Sequence, residues 1–423
     1  MPPTDVDFEM CANLVPVAKS NQETLDSLLR GEVIVSPHPV VPMASGPIDW
    51  DADPFDRNWR HSFHTLRWLS PALWGMSQGD QRAQEFWVQT VRDWVVHNAT
   101  SIAEQRPQAW ANMVDGIRAL RLVQGAPYVH KYSPDDLGWL VDSLRDHMHW
   151  LANEANLGHS NHALHQHEAL FTVASVLGNR ELADLAVRRL EELFFQHWSE
   201  DGMNAEGAIA YHHMNYLWWQ QVVAVLERAG SGAGKEFRAV LNRAPINLAH
   251  ATRPDKTFVP IGDTDSGRPT RVDHAVAKWV LTGGARGEPP TDNVLVHPDG
   301  YIFGRSGWGE FERDFAEETF FSVTFGRYKV HGHEDGGSLT YSAARVNWVV
   351  DPGKYSYSHE TPIRKHMVAH DSHSLTYLEG RERKRSVPVS LMRSSIAEDT
   401  YDFTFSDPGY AEAVITRRVL DLG

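Results

Sequence analysis

At about residue 290 the spacing of apolar residues changes from helical to strand-like, and a fold of one structural class cannot accommodate both halves. Before the change, Phe63, Leu66, Trp68, Leu69, Leu73 and Trp74 recur at the helical period, as do Phe86, Val88, Val91, Trp94 and Val95. Ser133-Pro134-Asp135-Asp136 opens a further helix: a capping hydroxyl, a proline in the first turn, then acids at the positive end of the dipole. The pattern predicts helices over 136–153, 161–178, 180–197, 208–229 and 235–250. Connections as short as Gly178-Asn179 make neighbouring helices antiparallel, which gives a stack or ring of helical hairpins. No repeat of fixed period is visible, which argues against a regular solenoid.

Past Asp292 come short runs rich in β-branched and aromatic residues, among them Thr319-Phe-Phe-Ser-Val-Thr-Phe and Tyr401-Asp-Phe-Thr-Phe. Turns such as Asp351-Pro-Gly punctuate them, so this half is read as an antiparallel β-sandwich. Residues 1–50 are proline-rich and weakly periodic, and are read as an extended arm. The expected division is therefore an arm over 1–50, a helical domain over 51–290 and a β domain over 291–423. The last run ends in mid-strand pattern, so the β domain is expected to be cut short.

Composition narrows the function classes. With 423 residues, 42% of them hydrophobic, the chain can bury a sizeable core. Fifty-five acidic against 40 basic residues give a net charge of −15, which disfavours nucleic acid as a partner. No stretch reaches the roughly 18 unbroken apolar residues of a membrane helix. The first residues lack the basic and apolar regions of a signal peptide. The expectation is a cytoplasmic protein, or a periplasmic or secreted one whose export signal has been removed. Cys11 is the only cysteine, so intrachain disulfides and multi-cysteine metal sites are excluded.

Three constellations could carry chemistry. His159-Ser-Asn161-His162-Ala-Leu-His165-Gln-His167 falls at a loop-to-helix junction; it reads either as a capped helix with half-exposed histidines or as a ligand-facing helix start. Glu206-Gly-Ala-Ile-Ala-Tyr211-His212-His213 places a phenol beside imidazoles near another helix start, a pairing suited to proton transfer. His331-Gly-His333-Glu-Asp335 precedes Asp351-Pro-Gly and His370. On a strand His331 and His333 face one way, and with a carboxylate from a neighbouring strand they suit a zinc ion; the alternative is a polar strand edge. Arg118, after Trp110, is a further candidate for a cleft. The basic run Arg381-Glu-Arg-Lys-Arg385 reads as a solvated loop or as a contact for sulfates.

In this order and on this layout, the motifs resemble those of the heparinase II/III-like polysaccharide lyases. The resemblance runs from about Asp51 and rests on Asp53-Pro-Phe-Asp-Arg-Asn-Trp59, Ser160-Asn161-His162, Glu206 to His212, Pro260-Ile-Gly-Asp263-Thr-Asp265, His331 to Asp335 and Val350-Asp351-Pro-Gly. It implies an incomplete (α/α) toroid followed by an antiparallel β-sandwich. The implied activity is β-elimination in a uronate-containing polysaccharide or oligosaccharide, of glycosaminoglycan or alginate type. By the same resemblance Asn161 and His162 neutralise the uronate carboxylate, Tyr211 is the acid or serves as both acid and base, and His331 is a base for one C5 epimer. His333, Asp351 and His370 would hold a structural zinc ion. A second aromatic acid/base used by some relatives would be Tyr355 or Tyr357. The sequence departs from the pattern at Asp371, where an asparagine is usual, and at Asn215, where some relatives have an arginine. A glycoside hydrolase on the same helical scaffold would need two carboxylic acids flanking the bond, with Glu206, Asp263 and Asp265 as candidates. A non-catalytic glycan binder is the remaining alternative.

Overall fold

The computed structural model describes residues 6–43, 47–310, 313–356, 361–397 and 400–422. Contacts divide the chain into two compact units, one of residues 1–195 with 222–235 and one of residues 196–221 with 236–423. Among the described residues no helix is long and apolar enough to cross a membrane.

The first fifty residues are less extended than their prolines suggest. They hold α1 (Phe8–Leu14) and α2 (Gln22–Leu29), started by Asp7 and Asn21, whose side chains accept hydrogen bonds from the Met10 and Thr24 amides. A two-residue ribbon, β1 (Glu32–Val33) with β2 (Val41–Pro42), follows. The first unit continues with α3 (Arg57–His64), α4 (Ser70–Ser77), α5 (Gln81–His97), α6 (Met113–Tyr132), α7 (Leu137–Ala152) and α8 (Asn161–Val176). The apolar run 59–74 does not form one helix: Leu66 takes a left-handed conformation (φ 57°) and splits it. Helices α6 and α8 are buried on nearly every face and pack on each other. They touch where Gly116 leaves room; a Cβ there would lie 2.5 Å from the His165 carbonyl oxygen.

This packed pair has a polar seam. The Asp115 carboxylate accepts hydrogen bonds from Trp150 Nε1 (2.9 Å) and Gln166 Nε2 (3.0 Å), and Gln166 in turn accepts from Gly158 N at 2.7 Å. The seam thus fastens the loop that leads into Asn161. Arg118 belongs to the same interior and not to a cleft: it is fully buried, its guanidinium lies over the Trp94 and Trp110 rings, and its Nε donates to His147. Burial pushes the Asp115 carboxyl up from 3.8 to about 7, against the pull of Arg118 and its hydrogen bonds. A raised folded-state pKa stabilises the fold fully below the unfolded value, and that contribution is lost as pH rises through about 7. The stability of the parent relative to Asp115→Asn should fall by up to about 1.4 kcal/mol per pH unit between about pH 4 and pH 7. Urea unfolding at several pH values measures this; a pH-independent difference would mean that Asp115 is ionised throughout.

Next in the chain come α9 (Arg180–His197), α10 (Ile209–Arg228), α11 (Ala233–Leu241), α12 (Ala244–His250) and α13 (Ala275–Thr282). The helix expected over 235–250 is two helices, because Pro245 has no amide to continue the ladder from α11 into α12. In the second unit the strands make two antiparallel sheets. Five run in chain order: β3 (Val294–His297), β4 (Tyr301–Arg305), β5 (Phe320–Thr324), β6 (Leu339–Ala343) and β7 (Val346–Val349). After α14 (Pro362–Val368), a second sheet holds β8 (Ser390–Ala397), β9 (Thr400–Asp407) and β10 (Ile415–Asp421), with β9 central. Ile302, Phe321 and Val323 of the first sheet share one core with Tyr401, Phe403 and Phe405 of the second. Strands β4 and β5 are buried throughout, which is why their sequences are continuously apolar or aromatic instead of alternating.

Candidate active site

Tyr211 stands in the first turn of α10, held by a loop from further along the chain: the Thr264 hydroxyl accepts from the Ile209 amide at 2.8 Å, satisfying a helix-start donor. The Tyr211 ring stacks on His331, with centroids 3.5 Å apart and planes 13° from parallel. His331 is not on a strand. The segment 331–335 is a loop between β5 and β6, turned by Gly332, whose amide bonds the Lys329 carbonyl at 3.0 Å. His331 and His333 still converge, but on the two oxygens of one carboxylate. His331 Nδ1 lies 3.3 Å from Asp263 Oδ2, and His333 Nε2 lies 3.1 Å from Oδ1.

Asp263 is nearly inaccessible and is gripped from the other side by the Arg364 guanidinium, through Nη2 at 3.0 Å and through Nη1. Burial would raise this carboxyl; the hydrogen bonds from His331, His333 and Arg364 outweigh it and hold it far below the usual carboxylate range. A permanently ionised carboxylate accepts only, so His331 donates from Nδ1 and keeps the Nε2 lone pair for chemistry. Arg364 carried no sequence signal; it lies on α14, remote in the chain from every motif. Asp263 sat inside a quoted motif and was a candidate acid of the hydrolase alternative, with no role in the lyase reading.

Glu206 backs the pair. Its carbonyl accepts from the His331 amide (2.7 Å), and its carboxylate accepts from Asn215 Nδ2 (3.0 Å), which also donates to the Tyr211 carbonyl. Burial raises the Glu206 carboxyl, with the His331 charge and Asn215 pulling the other way. Asn215, where some relatives carry arginine, thus ties Glu206 to the helix turn that bears Tyr211. Three backbone segments cross here at close range. A Cβ on Gly262, whose φ is +55°, would lie 2.4 Å from the His331 carbonyl oxygen and 2.6 Å from that of Gly207. Gly262→Ala should destabilise the protein by about 1–3 kcal/mol. It should also cost about a hundredfold in kcat by displacing His331. Unfolding curves and turnover together test this; unchanged values in both would show that the crossing relaxes freely.

The metal-ligand set differs from the expected one by one residue. His333, Asp351 and His373 are buried together, with one potential ligand atom from each lying within 4.8 Å of the others. His370 is elsewhere engaged: it opens a 3₁₀ turn over His370–Ser372, and its Nδ1 pairs with the Glu334 carbonyl at 2.7 Å. The turn delivers His373, three residues on, to hydrogen-bond contact with Asp351. The structure thus brings His373, and not the expected His370, to His333 and Asp351, and the three groups come from loops and the exit of β7 and not from strands. The donor set fits a divalent ion: His333 Nδ1 and His373 Nε2 are buried without a hydrogen-bond partner, and His333 is braced by the Asp263 carboxylate as metal-bound imidazoles are. Two imidazoles and a carboxylate suit a first-row divalent metal.

Asn161 and His162 open α8 in the first unit, behind Ser160, whose φ of 49° turns the chain into the helix. Asn161 is half-buried in the first turn, and the cap position before it is held by Ser160, whose side chain makes no capping hydrogen bond. Burial lowers the His162 pKa, helped by His165 and His159, so the ring acts as a neutral hydrogen-bonding group. Tyr355 is exposed, and Tyr357 lies outside the described residues. The basic run is tied down at Arg383, which pairs with Asp407, and at Arg385, which pairs with Glu334.

Residues 5–282 match the family described as heparinase II/III N-terminus. The fold is shared with solved structures of low sequence identity. A heparinase III is 18% identical, with a TM-score of 0.76, over 99% of this chain and 71% of its own. The heparan sulfate lyase HepC from Pedobacter heparinus is 17% identical, with a TM-score of 0.73, over 96% of this chain and 67% of its own. No curated protein matches. A helix-rich region followed by antiparallel sheets is the architecture this chain shares with these solved structures. The chain belongs to the heparinase II/III family.

Proposed function

We propose that the protein cleaves a uronate-containing glycan of the glycosaminoglycan type by β-elimination, on an incomplete (α/α) toroid over about 51–290 joined to a β-sandwich over 291–423. The observation that carries this reading is the Tyr211–His331 stack with its ionised Asp263 brace. The C5 proton of a uronate is too weakly acidic to leave while the neighbouring carboxylate is fully charged. Hydrogen bonds from the Asn161 amide and His162 would neutralise that carboxylate and stabilise the enolate-like charge that develops. His331 Nε2, or the Tyr211 oxygen for the other epimer, takes the C5 proton. The C5–H electron pair becomes the C4=C5 double bond, and the C4–O bond breaks. Tyr211 donates its proton to the departing oxygen. No water is consumed.

Asp263 argues against the hydrolase alternative, since a carboxylate with both oxygens engaged and a strongly depressed pKa cannot serve as general acid. The substrate class is supported by the heparan sulfate lyases that share the fold. The test is to incubate the protein with heparan sulfate, hyaluronan, chondroitin, polymannuronate and polyguluronate and follow the ultraviolet absorbance of the unsaturated uronate. Absorbance rising on a glycosaminoglycan is the expected result. Reducing ends without absorbance would instead make it a hydrolase, and binding without either product would make it a glycan binder.

At His333, Asp351 and His373 we assign zinc, in a structural role: it would tie the 331–335 loop to the exit of β7 and brace His333 against Asp263. A chelator should lower the melting temperature and zinc should restore it. Saturation at a hundred times Kd contributes about 2.7 kcal/mol. Elemental analysis without metal, together with melts indifferent to zinc, would remove the assignment.

A further inference from the structure

All three described non-glycine residues with positive φ in the first unit, Leu66, Asn112 and Ser160, flank one cavity of about 580 Å³. Asn112 lines it directly; Leu66 sits between the lining residues Thr65 and Arg67; Ser160 lies two residues before the lining His162. Asn112 (φ 55°, ψ −135°) and Ser160 (φ 49°, ψ −126°) share the same unfavourable backbone conformation, each just ahead of a helix. Such conformations cost free energy and persist where the surroundings enforce them, characteristically at binding sites. Their convergence on a single concavity is an observation independent of the cavity itself.

The lining is polar and carries a positive charge. Asn58, His61, Asn112 and His162 offer hydrogen-bonding groups, and Arg67 supplies a guanidinium. Arg67 makes no side-chain hydrogen bond or ion pair among the described residues. Arg121, close enough to feel the Arg67 charge, is half-buried with its Nε unpartnered, and the charge of one buried carboxylate, Glu168, reaches both arginines. Arg67 is exposed to solvent at the cavity, and two guanidiniums that share the charge of one carboxylate leave positive charge there to attract an anion. Burial lowers the pKa values of His61 and His162, so these rings are neutral donors or acceptors at pH 7 and Arg67 is the cation that lines the cavity. A fork of guanidinium donors matches the oxygens of a sulfate or carboxylate. The volume falls within the range of pockets that enclose a small ligand.

We propose that this cavity is a saccharide subsite in which Arg67 binds an oxyanion on a sugar ring, and that Asn58, His61 and Asn112 orient that ring beside His162. The substrate class rests on the proposed lyase reading; the anion preference rests on Arg67 and its surroundings. The oxyanion comes from one of two sources, a sulfate ester or a uronate carboxylate, and both present the same chemistry to Arg67.

The experiment is equilibrium binding, separate from turnover. Tyr211→Phe protein, alone and combined with Arg67→Gln or Arg67→Lys, is titrated by calorimetry with a sulfated heparan tetrasaccharide and with its desulfated counterpart. Arg67→Gln should weaken binding of the sulfated sugar roughly ten- to a hundredfold. Arg67→Lys should recover part of the loss, and melting temperatures should stay at the parent value. Weakening confined to the sulfated sugar assigns the oxyanion as sulfate, whereas equal weakening of both assigns it as carboxylate. Arg67→Gln and Arg67→Lys proteins that are folded and bind both sugars as tightly as the parent overturn the proposal. Turnover of the unsubstituted protein is scored in parallel. Arg67-dependent binding without unsaturated product sinks the lyase reading alone, and product formation with Arg67-independent binding sinks the subsite alone.

Discussion

Replacing Tyr211 with phenylalanine should lower kcat by two to four orders of magnitude, the usual worth of a positioned acid or base. The substitution removes one oxygen and keeps the ring that packs on His331, so unfolding curves should coincide with the parent's. KM should change little, because the phenol acts on the leaving oxygen in the transition state and not on the bound ground state. A Tyr211→Phe protein retaining more than a tenth of parental turnover would take Tyr211 out of the proton path and leave His331 to carry both transfers.

Asp263→Asn should have the broader effect, on stability and on activity together. The amide can satisfy only one of the two imidazoles as an acceptor, and it leaves the buried Arg364 guanidinium without its counter-charge. Breaking a buried pair in this way costs about 3–5 kcal/mol. An amide nitrogen facing His331 Nδ1 also favours the tautomer with its proton on Nε2, which removes the base. Loss of tautomer control of this kind costs on the order of ten-thousandfold in a serine protease triad. The distinguishing measurement is kcat on protein confirmed folded by circular dichroism. A folded Asp263→Asn enzyme with near-parental kcat would show that Asp263 holds structure only.

Much of the fold was legible because its punctuation is local. Helix α9 starts and stops as expected, over Arg180–His197, because Gly178-Asn179 marks the boundary before it. Where reading failed, the decisive partner was distant. Nothing near Leu66 announces a left-handed residue inside an apolar run; there the chain breaks between α3 and α4, each of which packs on α6. His331-Gly-His333 mimics strand alternation, yet the two rings are drawn together by Asp263, far off in sequence. His370 and His373 are equally plausible as ligands by spacing, and only the geometry of the turn between them separates the two. Arg118 looks like a cleft cation until its two tryptophans close over it. Arg364 could not have been picked out at all, since a lone arginine in a short helix looks like any surface residue.

The division of Asp263 between His331 on one oxygen and His333 on the other has an evolutionary consequence. One anion serves both the proton-handling ring and the buried ligand cluster, so neither can drift alone. A lineage that abandoned His333, Asp351 and His373 would free one oxygen of Asp263, let the carboxylate rotate, and alter the basicity of His331 with no change at His331 itself. Among homologues, the cluster and the Tyr–His pair should therefore be inherited or discarded as one trait, with Arg364 following them.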